Sequence, residues 1–257
     1  MIGVAVRRSA VLLAALAPAS AGAAQRPVVL TAAPAYVTLA GSARTTVRVT
    51  NSGTKRVRVD VSRAGFALDL RGRPRVMRNG GAPSAAPWLT VRPRRFALAP
   101  HATVSLAVAA KVPRRAEPGD HDALVLLSTR PLESGHVAVR LRVGVVIVVR
   151  APGAVVRRLE LRSLRVARRR DERALEVVVA NRGNVTESLE RARAVLSGGR
   201  ARPAVVLRAA SRDLRPRTNG ILDFRLRGRR HGWTTARVVV PAVQGRSALQ
   251  RTYRIRL

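Results

Sequence analysis

Residues 88–129 constrain the fold of this chain most, because they have the period of β-strands and little else. Apolar residues alternate with polar ones over residues 89–91, 96–98 and 104–108. A period of two turns one side of each strand toward a core. Prolines stand between these runs, where a missing backbone donor does least harm. They are Pro93, Pro100, Pro113 and Pro118. The segment predicts three strands joined by proline-marked turns, in a protein of the all-β class.

Residues 1–24 have the three parts of a secretory signal peptide. Arg7 and Arg8 form a charged head, residues 10–17 are apolar, and small residues lie around Ala23. The apolar run is shorter than the roughly 20 residues that a transmembrane helix needs. We therefore expect cleavage near Ala24 and a secreted, cell-envelope-associated location.

The most apolar later run, residues 143–149, is also too short to cross a membrane. We interpret it as a strand buried on both faces. The mature chain is therefore expected to have no integral membrane span.

The chain is arginine-rich, strongly basic and free of cysteine. Its 49 basic and 14 acidic residues give a net charge of +35, and it has no cysteine for disulfides, metal binding or nucleophilic catalysis. Such a charge attracts polyanions. Only Lys55 and Lys111 of the basic residues are lysines. A GC-rich genome would explain that skew as well as a ligand would.

Two segments, residues 45–61 and 174–189, share an Asn-x-Gly triplet between two strand-like runs. The triplets begin at Asn51 and Asn181, about one domain length apart. Asn and Gly tolerate positive φ, so each triplet predicts a β-hairpin. Each half then continues through a Gly-marked entry to a late strand, an order typical of a sandwich of about seven strands. The predicted domains are residues 25–150 and 151–257.

Helical signals are scarce. Residues 187–196 fit a helical face no better than a strand, and we interpret them as extended. Residues 71–86 are rich in Gly, Pro and Arg and predict a long loop. Trp88 and Trp233 are expected to be core anchors, as aromatics inside sandwich strands are.

Four motifs of the first half carry a family resemblance. They are Trp88-x-x-Val91-x-Pro93, Phe96-x-Leu98-x-Pro100, Val112-Pro113 and Pro118-Gly119-Asp120-His121. Together with Val47-x-Val49-x-Asn51-x-Gly53, they resemble bacterial PapD-like immunoglobulin-like cell-surface proteins. They are particularly similar to the first domain of the WxL-interacting protein family.

This resemblance covers residues 27–150, and the second half is similar to a further sandwich domain. It implies two tandem immunoglobulin-like β-sandwich domains after the signal peptide. In that family the first domain is associated with peptidoglycan and the second with a partner or host protein. Two features depart from the family pattern: its C-terminal transmembrane helix is lacking, and His121 stands where an aromatic residue is usual.

Arginine clusters at residues 165–173 and 225–230 are the candidate ligand-binding site. If the two turns adjoin, their guanidinium groups could grip phosphate or carboxylate. The predicted polyanion patch comprises Arg165, Arg168, Arg169, Arg170, Arg173, Arg225, Arg227, Arg229 and Arg230. The alternative is a set of solvated loops in an arginine-biased protein.

Catalytic and metal-binding patterns are missing from the sequence. The four histidines lack metal-ligand spacing. Glu117, Asp120 and Asp122 are close together, but they supply too few ligands for a calcium shell of six to eight oxygens. The sequence has no nucleophile elbow, phosphate loop or HExxH motif. We expect no enzymatic activity, no cofactor, no metal and no small-molecule substrate.

The predicted function is that of a non-enzymatic, cell-wall-binding or structural protein. Its partner would be an anionic cell-wall polymer or a surface protein. One alternative is an exported nucleic-acid or polyanion binder, which the scattered aromatics oppose because bases would have no stacking row. Another is a periplasmic-type chaperone that donates the strand at residues 137–149 to a client. For that chaperone, charge reversal at Arg140 and Arg142 is expected to weaken client capture.

Overall fold

The computed structural model describes residues 29–77, 84–130, 132–134, 137–169, 172–198, 203–210, 212–226, 232–241 and 248–257. The predicted signal peptide lies outside these residues. The regular secondary structure of the described residues consists of β-strands, apart from one short 3₁₀ helix at Ala86–Trp88. The predicted all-β class is thereby confirmed.

The first half contains twelve of the strands found in the described residues. They are β1 (Leu30–Ala33), β2 (Tyr36–Ala40), β3 (Arg44–Asn51), β4 (Val57–Leu68), β5 (Pro74–Met77), β6 (Leu89–Arg92), β7 (Arg95–Leu98), β8 (Thr103–Ala110), β9 (Gly119–Thr129), β10 (Leu132–Ser134), β11 (Val137–Val139) and β12 (Arg142–Ala151).

Two sheets of the first half face each other across a hydrophobic core. One has the order β1-β3-β8-β6, and the other has the order β2-β12-β9-β4-β5, with β7 also paired to β4. The chain changes sheets between β1 and β2: β1 runs antiparallel to β3, whereas β2 runs parallel to β12. Alternate residues such as Val47, Leu89, Leu127 and Ile147 fill the core. This is an immunoglobulin-like sandwich.

The second half contains the remaining strands of the described chain. They are β13 (Leu159–Arg169), β14 (Glu172–Asn181), β15 (Glu187–Ser188), β16 (Arg193–Ser197), β17 (Val205–Arg208), β18 (Asp213–Leu214), β19 (Asn219–Leu226), β20 (Trp233–Val240) and β21 (Leu249–Arg256).

The second half is also a sandwich with a core of its own. Its larger sheets are β13-β14-β19 and β17-β16-β20-β21, and β15 pairs with β18. The core between them includes Leu175, Leu196, Phe224 and Val238, all fully buried. The prediction of two immunoglobulin-like β-sandwiches is confirmed. The division at residues 150 and 151 stays a prediction, since the two halves also share many direct contacts.

The predicted Asn-x-Gly hairpins are wrong. The strands on either side of Asn51, β3 and β4, lie in opposite sheets. The Asn51 side chain holds this crossing: its Nδ2 donates to the carbonyls of Lys55 (2.9 Å) and Ala99 (3.1 Å), and its Oδ1 accepts the N–H of Gly53 (3.0 Å). Neither glycine of the two triplets has a positive φ. The buried amide, not a left-handed backbone, determines the turn.

The second triplet repeats the same device. Asn181 Nδ2 donates to the carbonyls of Val185 (2.8 Å) and Leu214 (3.0 Å), and its Oδ1 accepts the N–H of Gly183 (2.9 Å). Both asparagines are fully buried. The repeat is therefore a structural one, a side-chain lock on a crossing between sheets.

Other local predictions have mixed outcomes. Residues 187–196 form no helix, and β15 and most of β16 lie in them, but a turn at residues 190–191 separates these two strands. The predicted loop at residues 71–86 contains β5, which pairs with β4.

Trp88 is half-buried against the first core. Trp233 is 60% exposed, so its predicted core role is wrong; it begins β20, and its ring contacts Arg254 (5.0 Å).

Candidate functional site: an interdomain cleft

The central part of the outward face of the β4-β9-β12 sheet is apolar and forms the floor of a cleft against the second half. The cleft has a volume of about 790 Å³. Phe66, Leu124, Leu126 and Val146 line this floor. Antiparallel sheets with one face on a core usually turn a polar face outward. Here the near-continuous apolar run of β9 gives the sheet two apolar faces, and the second face needs a cover.

The two halves are joined beside the cleft by three acidic residues at or just before the beginning of β9, each paired with an arginine, and Asp122 of these lines the cleft itself. Glu117 binds Arg217 (Oε2 to Nη1, 2.9 Å). Asp122 binds Arg215 (3.0 Å). Both arginines belong to the second half. These two carboxylates, considered above for calcium, join the halves instead.

Asp120 lies at the centre of this junction, and its side chain is 1% exposed. It accepts two hydrogen bonds from Arg150 (2.6 and 3.0 Å) and one from the N–H of Thr186 in the second half (2.8 Å). Burial raises the pKa of Asp120, but the hydrogen bonds from Arg150 and Thr186 lower it more. The net pKa lies below the ordinary value, so this carboxylate is ionised.

Asp122 and Arg215 form a nearly buried ion pair in the cleft wall. Burial raises the pKa of Asp122, and the attraction of Arg215 offsets this only in part. Burial also lowers the pKa of Arg215. The guanidinium of Arg215 lies over the ring of Phe66, 3.6 Å from its centroid. Among the described residues, Asp122 Oδ1 has no hydrogen-bond partner although it is buried.

The other side of the cleft is closed by the turn between β4 and β5. The carbonyl of Leu70 accepts the N–H of Ile221 (2.8 Å) and Nη1 of Arg212 (2.9 Å). Arg71 donates to Glu176 (2.8 Å), whose side chain is 1% exposed. Burial raises the pKa of Glu176, but the hydrogen bonds from Arg71 and Arg165 lower it more. Both sides of the cleft are thus fixed by contacts between the halves.

The strand β12 has an open edge beside the cleft. It pairs with β9 from Arg142 to Ala151, but β2 covers only Val146–Arg150. The N–H of Val146 donates to Ala35 (2.9 Å) on the β2 side. Since backbone groups alternate along a strand, those of Arg142 and Gly144 point to the same side. No strand of the described chain pairs with them there. We call residues 142–145 the open edge.

Gly144 is the unusual residue of this edge. Glycine inside a strand often marks a bulge or a place where another backbone approaches closely. Gly144 has no positive φ, and its register with β9 is regular. A Cβ there would meet only Leu124 Cδ2 at 3.5 Å and Leu126 Cδ2 at 3.7 Å, which are ordinary contacts. The fold therefore does not require a glycine at this position.

The predicted arginine patch is only partly within the described residues. Arg170, Arg227, Arg229 and Arg230 lie outside them, as does the side chain of Arg169. Arg165 lies opposite Glu176 and binds it (2.7 and 2.9 Å). Arg168 lies opposite Arg173 in the pairing of β13 with β14. Arg225 of β19 lies opposite Ala174, the residue that follows Arg173.

The structure thus places Arg165 and Arg225 on one face of the sheet and Arg168 and Arg173 on the other, because successive strand residues alternate between faces. A ligand role for the nine arginines stays a prediction.

The described residues contain no group of three His, Cys, Asp or Glu side chains that could hold a metal ion. None of the helices in them is long and apolar enough to span a membrane.

Comparison with known proteins gives likenesses only among solved structures. No protein-family model matches the chain, and no curated protein matches its sequence. The similar structures are fimbrial chaperones. One is the class 5 fimbriae chaperone CfaA, with a TM-score of 0.49, 13% identity, and coverage of 87% of this chain and 98% of that chain.

Two further neighbours are chaperones as well. The Pseudomonas aeruginosa chaperone CupB2 has a TM-score of 0.44, 14% identity, and coverage of 88% of this chain and 100% of that chain. The Salmonella enterica chaperone SafB, solved in complex with the SafA pilin, has a TM-score of 0.45, 14% identity, and coverage of 91% of this chain and 99% of that chain. These likenesses concern the fold alone. The resemblance to the WxL-interacting protein family stays a prediction.

Sequence reasoning missed the cleft. The apolar run of β9 was a usable signal, because it leaves no polar face for solvent. The open edge lies within residues 137–149, the strand that the chaperone alternative assigned to a client, but its bounds depend on where β2 pairs. The pairing of each acidic residue with one particular arginine had no signal in the sequence, since it depends on contacts between distant segments.

Proposed function

We propose that this chain is an extracytoplasmic, non-enzymatic binding protein that captures an extended segment of a surface protein on the open edge. One observation carries the proposal: β12 extends beyond β2, and no strand of the described residues pairs with the outward backbone groups of Arg142 and Gly144 beside an apolar cleft. The leader predicted at residues 1–24 supports the location.

The chemistry of a sheet edge suits a peptide. Unpaired N–H and C=O groups accept an added strand through main-chain hydrogen bonds, and pockets beside the edge select alternate side chains. Gly144 leaves the backbone accessible from the cleft. Leu124 and Leu126 beneath it offer contact to an apolar side chain of the added strand. We expect segments that alternate apolar and polar residues.

An apolar floor favours a protein segment over a wall polymer at this site, since a polymer rich in hydroxyl and charged groups would lose its hydration there. In one solved structure named above the chaperone is in complex with a pilin. For the present chain, the protein partner is inferred from the open edge. The chaperone alternative predicted that residues 137–149 pair with a client. The segment proposed here to pair with a partner is shorter, residues 142–145, because β2 already pairs with Val146–Arg150.

The test uses Gly144→Pro, with Gly144→Ala as its matched control. The N–H of Gly144 points away from β9, so a proline there removes a donor from the open edge without removing a hydrogen bond of the sheet. The alanine variant keeps the donor, and its Cβ makes only ordinary contacts. The probe is a display library of random 12-residue peptides, selected on the wild-type protein.

We expect selected peptides with alternating apolar residues to bind the wild type and the alanine variant alike. Binding to the proline variant should fall about tenfold, the effect of losing one or two hydrogen bonds at the edge. Thermal unfolding of each variant checks the fold. Peptides that bind the folded proline variant as well as the wild type would place the binding surface elsewhere. A library without selectable binders would overturn the proposal.

A further inference from the structure

A second pocket lies at the end of the first domain that is far from the Asp120 junction. It has a volume of about 460 Å³, and Asp60, Val61, Arg94, Arg95, Arg130 and Arg140 line it. Arg130 follows the end of β9, whereas the junction with the second half is at the beginning of that strand. The eleven residues of β9 place this pocket about 30 Å from that junction, whereas Arg142 of the open edge is only two residues from Arg140. We call this site the distal arginine pocket.

The pocket has an excess of positive charge. Asp60 contacts Nε of Arg95 and Nε of Arg130, each at 3.4 Å, longer than a good charge-assisted hydrogen bond. Arg94 and Arg140 have no carboxylate partner among the described residues. In the described part of the chain, four guanidinium groups therefore share the carboxylate of Asp60. Like charges held at close range destabilise a fold unless counter-ions or solvent screen them.

The backbone brings these arginines together, so the cluster is a property of the fold. The N–H of Val61 donates to the carbonyl of Arg94 (2.8 Å), and the N–H of Arg130 donates to the carbonyl of Arg58 (3.0 Å). Arg95 lies directly opposite Asp60 in the pairing of β7 with β4. A bias toward arginine in the genome would enrich the whole surface. It would not by itself make a concave site with a single acidic residue.

We infer that the distal arginine pocket binds an oxyanion that carries at least two negative charges, such as the phosphate groups of a polyanion. Planar guanidinium groups form paired hydrogen bonds with phosphate oxygens. Asp60 holds Arg95 and Arg130 and leaves Arg94 and Arg140 available for the ligand. The pocket has no aromatic lining on which a base could stack, so phosphate is the group recognised.

The experiment titrates the full-length protein with inorganic pyrophosphate by calorimetry at low ionic strength. The test variant carries Arg94→Gln and Arg140→Gln. The matched control carries Arg44→Gln and Arg48→Gln, two exposed arginines on β3 in the opposite sheet. Both variants lose the same charge, and all four side chains are exposed. A general effect of net charge would therefore weaken binding equally in the two variants.

We expect one saturable site in the wild type and in the control. The test variant should bind about tenfold more weakly or worse, because it loses two charge-assisted contacts. Equal weakening in both variants would show diffuse attraction and overturn the inference, as would the absence of saturable binding. Tighter binding of an oligothymidylate than of a polyphosphate with the same number of phosphates would also overturn it, because bases would then contribute. Peptide capture at the open edge tests a different surface, so either proposal can fail alone.

Discussion

At the scale of single residues, Asp120 is the carboxylate on which the junction most depends. Replacing it by Asn leaves Arg150 without its bidentate partner and weakens the link to Thr186. Removing one partner of a buried ion pair costs several kcal/mol. Since Arg150 is about one-third exposed, we expect Asp120→Asn to lower the free energy of unfolding by about 2–3 kcal/mol at pH 7.

This loss should depend on pH in a defined direction. The folded-state pKa of Asp120 lies below its ordinary value of 3.8. The stability that it contributes is therefore present above the ordinary pKa and is lost as the pH falls through the folded-state pKa. Urea unfolding at pH 7 and near pH 2.5 gives the free energy of unfolding of the variant and of the wild type. The difference between these two free energies should be smaller at the lower pH. The variant Glu190→Gln, at an exposed turn residue that does not line the cleft, is the control. An equal difference at both pH values would contradict the assignment.

Residue identities were easier to predict than residue roles. Asn51 and Asn181 stood out in the sequence as a repeated triplet, and both mark tight connections. Their mechanism was misjudged, because the carbonyls of Ala99 and Leu214 that they bind are distant in the chain. Trp233 looked like Trp88 in its local pattern. Only its place at the first residue of β20 explains its exposure.

At the scale of elements, β12 and the segment before it separate two binding surfaces. Arg142 lines the cleft, whereas Arg140 lines the distal arginine pocket. A chain of charge +35 attracts acidic partners. Arg142→Glu should therefore weaken capture of an acidic peptide several-fold at low salt, mainly by slowing association. Arg140→Glu should leave capture unchanged and weaken pyrophosphate binding. Surface plasmon resonance measures peptide capture, and calorimetry measures pyrophosphate binding. An equal loss of peptide capture in both variants would show that only the net charge of the protein affects capture.

Strand positions followed from the sequence because a period of two is a local property. The structure contains strands within the predicted runs at residues 89–91, 96–98, 104–108 and 187–196. The partner of each strand did not follow. β3 and β4 read as a hairpin, yet they lie in opposite sheets, and β5 was hidden in a segment whose composition is typical of loops. Pairing depends on long-range contacts that periodicity does not encode.

At the scale of the whole molecule, the cleft was missed for the same reason: sequence patterns describe neighbouring residues and not contacts between distant ones. Glu117, Asp120 and Asp122 lie close in sequence and suggested one site. Each instead binds a different arginine, and two of those arginines come from the other half. The sequence is so rich in arginine that it could not indicate which arginines would bind these carboxylates. The relative placement of the two sandwiches is determined by these pairs and by the β4–β5 turn.

The junction should make the two sandwiches unfold together, and Gly119 allows a direct test. Its φ is +117°, and a Cβ there would lie 2.1 Å from the carbonyl oxygen of Asn184, which accepts the N–H of Asp120. Gly119→Ala should therefore force the halves apart. Gly41 is the control, because its φ is +61° but a Cβ would meet nothing within 4 Å. Gly41→Ala should cost only the backbone strain of about 1 kcal/mol.

Differential scanning calorimetry distinguishes the two outcomes. The wild type and Gly41→Ala should each show one transition, since the halves stabilise one another through the junction. Gly119→Ala should show two, because each sandwich keeps its own core while the contacts of Asp120 and Asn184 are lost. Gly119→Ala could instead show a single transition, with a midpoint temperature lowered no more than that of Gly41→Ala. This result would mean that the junction can rearrange around a methyl group without uncoupling the halves.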